Sequence, residues 1–344
     1  MYKKTDTTYG YNGEIIPYEI DTQGEWGSFY VRRWPKPDSL PATKPKSRSS
    51  KDDDGIKPPT CALCDHYFGK IGQNLPMNRI RFYNERYILK PNDYPLVRNQ
   101  LLCFVEPTNA NNEYLPHRLE VKEPDVRLSI HIRRDGLTDL AYENVGDHPP
   151  VDSVTEESNE EKWVSWINPF TESAASQRHL HISMVKAKYI PLADWETLPW
   201  QVAEDKSNGV VISRFETNFY ALAIDGKNPK DVAMTVTHIH EFMNKALIPY
   251  SFAAYEKNRV IIIPRSQAYS PIADQRIGTL ELLTGVLVPG EKCSRLDTLQ
   301  RDRAFQEVTL GTNVSLNFDR MLRGRFGMPP AGKSVYAHPS RYSI

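Results

Sequence analysis

The chain has 344 residues, enough for one large core or for two domains of ordinary size. Its 43 basic and 43 acidic residues balance, which excludes bulk electrostatic attraction to nucleic acid or to an anionic membrane. Four cysteines in a chain of this length exclude a disulfide framework. The sequence contains no run of about 18 apolar residues and begins without an apolar signal core, so we expect a cytoplasmic protein that binds neither membrane nor nucleic acid.

Residues 1–60 are predicted to form an N-terminal extension with a flexible loop. The loop covers residues 35–60, which mix proline, serine and lysine with three consecutive aspartates and are too polar to pack. Directly after it, Cys61 and Cys64 form a C-x-x-C pair in a turn-prone segment. The pair fits half of a tetrahedral zinc site, but two reduced thiols in a turn are the simpler interpretation because half a ligand set is incomplete.

Residues 61–200 are predicted to form a strand-rich unit. Within it, residues 79–82 and 87–90 should form a hairpin, and residues 101–105 and 179–185 should add further strands. These runs are short and rich in β-branched and aromatic residues, and turn residues bound them.

Two histidines at the start of the last of these strands are the strongest functional signal. His179 and His181 are separated by one residue, so their side chains lie on one face of the strand, roughly 7 Å apart. The small and polar residues 173–177 before them allow a curved backbone whose N–H groups suit a phosphate. A neutral imidazole beside such a nest is a candidate nucleophile for phosphorus. The same spacing also arises by chance on a half-buried strand.

Residues 201–325 are predicted to form a second strand-and-helix unit of similar size, followed by a C-terminal tail at 326–344. A helix is expected after Asn228, a good cap, with Pro229 in its first turn. The other elements expected in this unit are strands at 210–213, 219–224 and 282–288, a hairpin within 250–263 and a helix at 294–310.

Three segments of the sequence resemble the histidine triad superfamily. Asn168 and the later Ser176-Gln177-Arg178-His179-Leu180-His181 are similar to the signature of the branch with galactose-1-phosphate uridylyltransferase and diadenosine tetraphosphate phosphorylase. That signature is approximately Asn, small residues, Ser-(Gln or Asn)-Pro-His-x-His-x-Gln. Asn92-Asp93-Tyr94-Pro95 is similar to the segment where these proteins bind the nucleoside. Residues 250–265 look like the degenerate second half of the phosphorylases, and the resemblance covers roughly residues 60–310.

Two positions depart from the family's signature. Arg178 stands where the family has proline, and Ser183 stands where it has glutamine or a third histidine. That third position normally holds a phosphate oxygen or the leaving group. A serine hydroxyl can still donate one hydrogen bond but reaches less far than glutamine.

The fold that the resemblance implies is α+β, with two fused histidine-triad-like halves, each an antiparallel sheet with packed helices. Residues 61–200 would be the catalytic half, and residues 201–325 would be a degenerate half without the His-x-His element. The implied assembly is a monomer or a homodimer.

The activity that the resemblance implies is that of a nucleotidyltransferase of the phosphorylase type. It would cleave a nucleoside polyphosphate or nucleotide-sugar through a covalent nucleotidyl-histidine at His181 and pass the nucleotidyl group to phosphate or a sugar phosphate. The alternatives are a nucleotide hydrolase of the same superfamily and a catalytically inactive nucleotide-binding protein.

The same resemblance assigns roles to individual residues. His181 would act with His179 and Ser183 in catalysis. No cofactor is required, but His179 could join Cys61 and Cys64 on a structural zinc. The substrate contacts would come from seven residues: Asn92, Asp93, Asn168, Ser173, Ser176, Gln177 and Arg265.

Overall fold

The computed structural model describes sixteen segments of the chain. They are residues 15–18, 29–32, 61–68, 76–92, 100–109, 120–137, 139–145, 148, 151, 162–169, 179–187, 201–205, 209–216, 220–256, 258–284 and 298–310. The strands are β1 (Ile15–Tyr18), β2 (Phe29–Arg32), β3 (Asn78–Phe82), β4 (Glu85–Pro91), β5 (Leu101–Val105), β6 (Ala141–Asn144), β7 (Trp163–Ile167), β8 (His181–Lys186), β9 (Gln201–Asp205), β10 (Val210–Glu216), β11 (Tyr220–Gly226), β12 (Tyr250–Glu256), β13 (Arg259–Pro264), β14 (Tyr269–Ser270) and β15 (Gln275–Arg276). The helices are α1 (Ala62–Tyr67), α2 (Glu123–Asp135), α3 (Pro229–Lys245), α4 (Thr279–Thr284) and α5 (Thr298–Val308).

One antiparallel sheet of 11 strands dominates the fold, in the order β6-β3-β4-β5-β8-β7-β12-β13-β11-β10-β9. Strands from 61–200 and from 201–325 thus share one continuous sheet, joined where Ile167 of β7 pairs with Phe252 of β12. Counted outward from that junction, β7-β8-β5-β4-β3 corresponds to β12-β13-β11-β10-β9, and a helix follows β5 in one series and β11 in the other. Apart from β6 at one edge, the strand order is therefore symmetric about the junction, and the described residues have an α+β fold.

The two faces of the sheet carry different side chains because neighbouring residues of a strand point to opposite sides. One face contributes Leu89, Cys103 and Ile182 to the main core, which includes buried residues of α2 and α3. The opposite face, here called the site face, carries Ile88, Leu102, Phe104, His181 and Ser183. Part of the site face packs against Cys61, Leu63 and Cys64 in and beside α1.

Local sequence explains where the two long helices begin. The side chain of Asn228 accepts the Lys230 N–H at 3.0 Å, and Pro229 occupies the first helical position of α3, so the predicted cap is confirmed. At α2, the Lys122 N–H donates to the Asp125 carboxylate at 2.6 Å. Both caps satisfy backbone donors that the helix itself leaves unpaired.

Two strand predictions had opposite outcomes. The hairpin expected at 79–90 is confirmed, since β3 and β4 pair through a turn at Tyr83 and Asn84. The prediction of a strand at 282–288 is wrong for residues 282–284, which belong to helix α4. Residues 285–288 lie outside the described residues. A short apolar run fits a buried helix as well as a strand. The Glu281 carboxylate accepts the Gly278 N–H at 2.9 Å and so stabilises the helical start.

The remaining predictions about chain organisation concern its ends. In the predicted N-terminal extension, β1 and β2 form a separate two-stranded antiparallel sheet. The expected loop at 35–60 and the expected tail at 326–344 lie outside the described residues. Among the helices described, none is both long enough and apolar enough to cross a membrane.

Candidate active site

The centre of the candidate site is the imidazole of His181, at the start of β8. Its Nδ1 lies 2.8 Å from the backbone carbonyl oxygen of His179. Since a carbonyl oxygen only accepts, Nδ1 carries the proton and Nε2 keeps its lone pair. The side chain is buried, and burial lowers the pKa of His181 because it disfavours the charged ring. His181 is therefore a neutral imidazole with an unprotonated Nε2.

Asn168 and Ser183 lie next to His181 on the site face. In the pairing of β7 with β8, Ile167 is opposite Ile182, and one further step places Asn168 opposite His181. Ser183 follows two residues after His181, so both side chains point to the same face. The structure thus brings three predicted site residues together.

Asn92 is separated from these three residues. Its N–H donates to the Gln100 carbonyl at 2.9 Å. Gln100 precedes Leu101, at the end of β5 that lies farther from His181. The pairing puts Asn92 two strands away, roughly 10 Å across the sheet and about 13 Å along it. The other predicted substrate contacts Asp93, Ser173, Ser176 and Gln177 lie outside the described residues and stay predictions.

Arg265, at the end of β13, is buried and bonded to protein groups. Its Nη1 donates to the Ser251 hydroxyl at 3.2 Å, and its Nη2 donates to the carbonyls of Gln267, at 3.1 Å, and Ile277. Burial lowers the pKa of Arg265 to about 10, an effect that the nearby Glu281 opposes. A direct contact between Arg265 and substrate stays a prediction, because the bonds described here go to the protein itself.

Asn168 accepts hydrogen bonds from two hydroxyl groups of the second predicted unit. Its Oδ1 accepts hydrogen bonds from Ser251, at 3.4 Å, and from Thr279 of α4. Sequence reasoning missed both hydroxyls. They lie 83 and 111 residues away in the chain, so no spacing or local pattern connects them to Asn168.

A second cluster consists of Cys61, Cys64 and His179. The sulfurs of Cys61 and Cys64 lie 3.8 and 3.4 Å from Nδ1 of His179, and the three ligand atoms are within 4.8 Å of one another. His179 Nε2 lies 2.8 Å from the Val105 carbonyl and donates to it, which leaves the Nδ1 lone pair facing the sulfurs. Hydrogen bonding from Cys64 is the largest cause that lowers the pKa of Cys61, to about 4, and it outweighs burial, which raises it. This lowered pKa favours the thiolate, which is the form of cysteine that binds a metal.

This donor set fits a zinc ion. Two soft sulfur ligands and one neutral imidazole are three of the four ligands of a tetrahedral site. Among the described residues, no other histidine, cysteine or carboxylate joins these three as a fourth ligand. His131 of α2 lies against Asp135, and His117 is outside the described residues.

A buried carboxylate connects α1 with β5, the strand whose Val105 carbonyl accepts the His179 Nε2–H. Glu106 directly follows Val105, and its Oε1 accepts hydrogen bonds at 2.6 Å from both Tyr67 of α1 and Arg79 of β3. Its Oε2 lies 2.8 Å from the Arg86 guanidinium. Sequence reasoning missed this group, because an acidic residue after a strand is usually solvated.

Comparison with known proteins finds only distant structural likenesses. No family model matches the chain, and no curated protein matches it significantly. Yeast Ap4A phosphorylase Apa2 in complex with Ap4A has 17% identity and a TM-score of 0.40, over 65% of this chain and 74% of that chain. Another structure of yeast Ap4A phosphorylase Apa2 has 16% identity and a TM-score of 0.41, over 65% of this chain and 74% of that chain. A DUF4931 family protein from Bacillus cereus ATCC 10987 has 14% identity and a TM-score of 0.33, over 64% of this chain and 95% of that chain. These likenesses leave the function to be inferred from the chain's own residues.

Proposed function

We propose that this chain is a nucleotidyl-transferring enzyme of the phosphorylase type, with His181 as its nucleophile. The observation that supports this most is the unprotonated Nε2 of a buried imidazole whose Nδ1–H is committed to the His179 carbonyl. The substrate would be a nucleoside polyphosphate or a nucleotide-sugar. The motif resemblance around Asn92 and His181 supports the choice of a nucleotide.

The reaction would proceed in two displacements. In the first, the Nε2 lone pair forms a bond to the α-phosphorus while the bond to the bridging oxygen breaks and the leaving group takes the electron pair. The imidazole ring becomes positively charged, and the carbonyl that accepts its Nδ1–H stabilises that charge. In the second, an oxygen of phosphate or of a sugar phosphate attacks the phosphorus, and the N–P bond breaks to restore neutral His181.

The symmetric strand order supports a further part of the proposal. We propose that the two series of strands are two fused histidine-triad-like halves, of which only the first carries the His179–His181 pair at the start of a strand. Residues 61–200 and 201–325 would be these halves, joined edge to edge through β7 and β12. The order β7-β8-β5-β4-β3 and its counterpart are what two copies of one topology would produce.

The first experiment tests the covalent intermediate and the acceptor. The protein is incubated with α-phosphate-labelled nucleoside triphosphates, dinucleoside polyphosphates and nucleotide-sugars, then quenched in base because phosphorus–nitrogen bonds are acid-labile. We expect nucleotidyl mass on a peptide containing His181 and, when phosphate is added, release of a nucleoside diphosphate. A monophosphate product at a rate independent of phosphate would instead identify a hydrolase. Nucleotide binding without any adduct or turnover would identify a binding protein.

We also propose that Cys61, Cys64 and His179 hold a structural zinc, which would tie α1 to β8. Replacing Cys64 by serine is expected to lower bound zinc from about one ion per chain to nearly none, since a neutral hydroxyl is a poor zinc ligand. The measurement is elemental analysis after zinc loading and dialysis. Cys103→Ala is the matched control, because that buried thiol lies on the opposite face of the sheet. Equal zinc content in the Cys64→Ser protein and the wild type would contradict the proposal.

A further inference from the structure

We infer that Arg265, Ser251 and Thr279, all from the second half, are positioning residues that orient the side-chain amide of Asn168 beside the nucleophile. This inference rests on the proposed function, because it assigns these residues a task in nucleotidyl transfer. It also assigns a role to the half that does not contain His179 and His181.

The direction of each hydrogen bond follows from what each group can donate. A guanidinium has donors only, so Arg265 Nη1 must donate to the Ser251 oxygen. Ser251 then directs its own proton to the next acceptor, the Oδ1 of Asn168. The hydroxyl of Thr279 donates to the same oxygen. The hydroxyls of Ser251 and Thr279 converge on one atom of the amide, and the Ser251 oxygen already accepts from Arg265. The amide is therefore assigned with its oxygen toward these hydroxyls.

The order of strands then places the other branch of the amide. β7, which leads into Asn168, lies between β12 and β8. Ser251 belongs to β12, so Oδ1 is held on the β12 side. The Nδ2 group, on the opposite branch, is turned toward β8, where His181 lies opposite Asn168 if the register is continued one residue beyond Ile167 and Ile182. Its two N–H donors are thus directed at the place where the phosphoryl oxygens would gain charge.

The burial of Arg265 and Ser251 explains why their hydrogen bonds keep the Asn168 amide in one orientation. Arg265 and Ser251 are both buried, 1% and 0% exposed, so water does not compete for their bonds. Arg265 donates in addition to two backbone carbonyls, Gln267 and Ile277, which fix the plane of the guanidinium. A donor held in place before the reaction stabilises developing charge without reorganisation.

The test compares two threonines of the same helix. Thr279→Val removes a hydroxyl that reaches Asn168, whereas Thr284→Val removes one that bonds the Leu280 carbonyl of α4 itself. We expect Thr279→Val to lower kcat by roughly 100-fold with little change in KM, since a misdirected donor acts mainly on the transition state. Thr279→Ser should restore most of the activity, and Thr284→Val should keep wild-type kcat.

A mutant cycle separates positioning from support of the fold. In an Asn168→Ala background, Thr279→Val and Ser251→Ala should have no further effect on kcat, because the group they orient is absent. Wild-type kcat in Thr279→Val, or equal losses with and without Asn168, would overturn the inference while leaving the nucleophile in place. Full activity of a His181→Asn protein would instead overturn the proposed function.

Discussion

Replacing His181 by asparagine is expected to lower kcat by about 10⁴-fold or more, because the nucleophile is lost rather than moved. Asparagine is the conservative choice. Its amide N–H can still donate to the His179 carbonyl in place of Nδ1, but it has no nitrogen lone pair at the position of Nε2. The loss should therefore be in the chemical step, and the affinity for nucleotide should change little.

The measurement is single-turnover kinetics together with nucleotide binding by calorimetry. His131→Asn is the matched control, since His131 lies against Asp135 on α2, and α2 packs on the face of the sheet opposite to the site face. Its kcat should equal that of the wild type. If the His181→Asn protein cleaves the substrate as fast as the His131→Asn protein does, the nucleophile is another group.

The parts of the fold that sequence predicted are those in which a local pattern decides the outcome. The hairpin of β3 and β4 has two short strand-forming runs with a turn between them, and α3 has an asparagine cap, a proline and an apolar stripe. Residues 279–284 lacked such a pattern. Their apolar run fits two structures, and it is helical where Glu281 can bond back to Gly278.

The same distinction applies to the candidate site. His179 and His181 are close in the sequence, so spacing alone could place them on one face. Cys61 and Cys64 are 118 and 115 residues from His179, and only the family resemblance connected them. Ser251 and Thr279 reach Asn168 through pairing across the β7–β12 junction. Contacts of this kind depend on the global order of the strands, which no short window of sequence contains.

Replacing Glu106 by glutamine is expected to lower the free energy of unfolding by about 3 kcal/mol. The carboxylate is 1% exposed and faces Arg79 and Arg86, whose side chains are 19% and 22% exposed. Removing its charge leaves the Arg86 guanidinium without this carboxylate and leaves Arg79 with only the more exposed carboxylate of Glu143, at 3.6 Å. Breaking a buried ion pair from one side typically costs several kcal/mol. The measurement is the unfolding midpoint and slope in urea.

Glu143→Gln is the matched control, since the same change is made in an exposed ion pair of the same sheet. Glu143 is 38% exposed and pairs closely with Arg81, which is 60% exposed. It also lies 3.6 Å from Arg79, which keeps its shorter contact with Glu106, so the loss of Glu143 should cost less than about 1 kcal/mol. Equal losses in the two variants would show that Glu106 does not act as a buried counter-charge.

Glu106 also couples the stability of the sheet to the proposed zinc site. It anchors Tyr67, on the helix that carries Cys64, and it directly follows Val105, whose carbonyl fixes the ring of His179. Residues that orient metal ligands typically change metal affinity by 10- to 100-fold when they are replaced. Glu106→Gln should therefore weaken zinc binding by roughly 10-fold, whereas Glu143→Gln should leave it unchanged. A loss of stability without a loss of zinc affinity would mean that α1 is held in place by its apolar contacts alone.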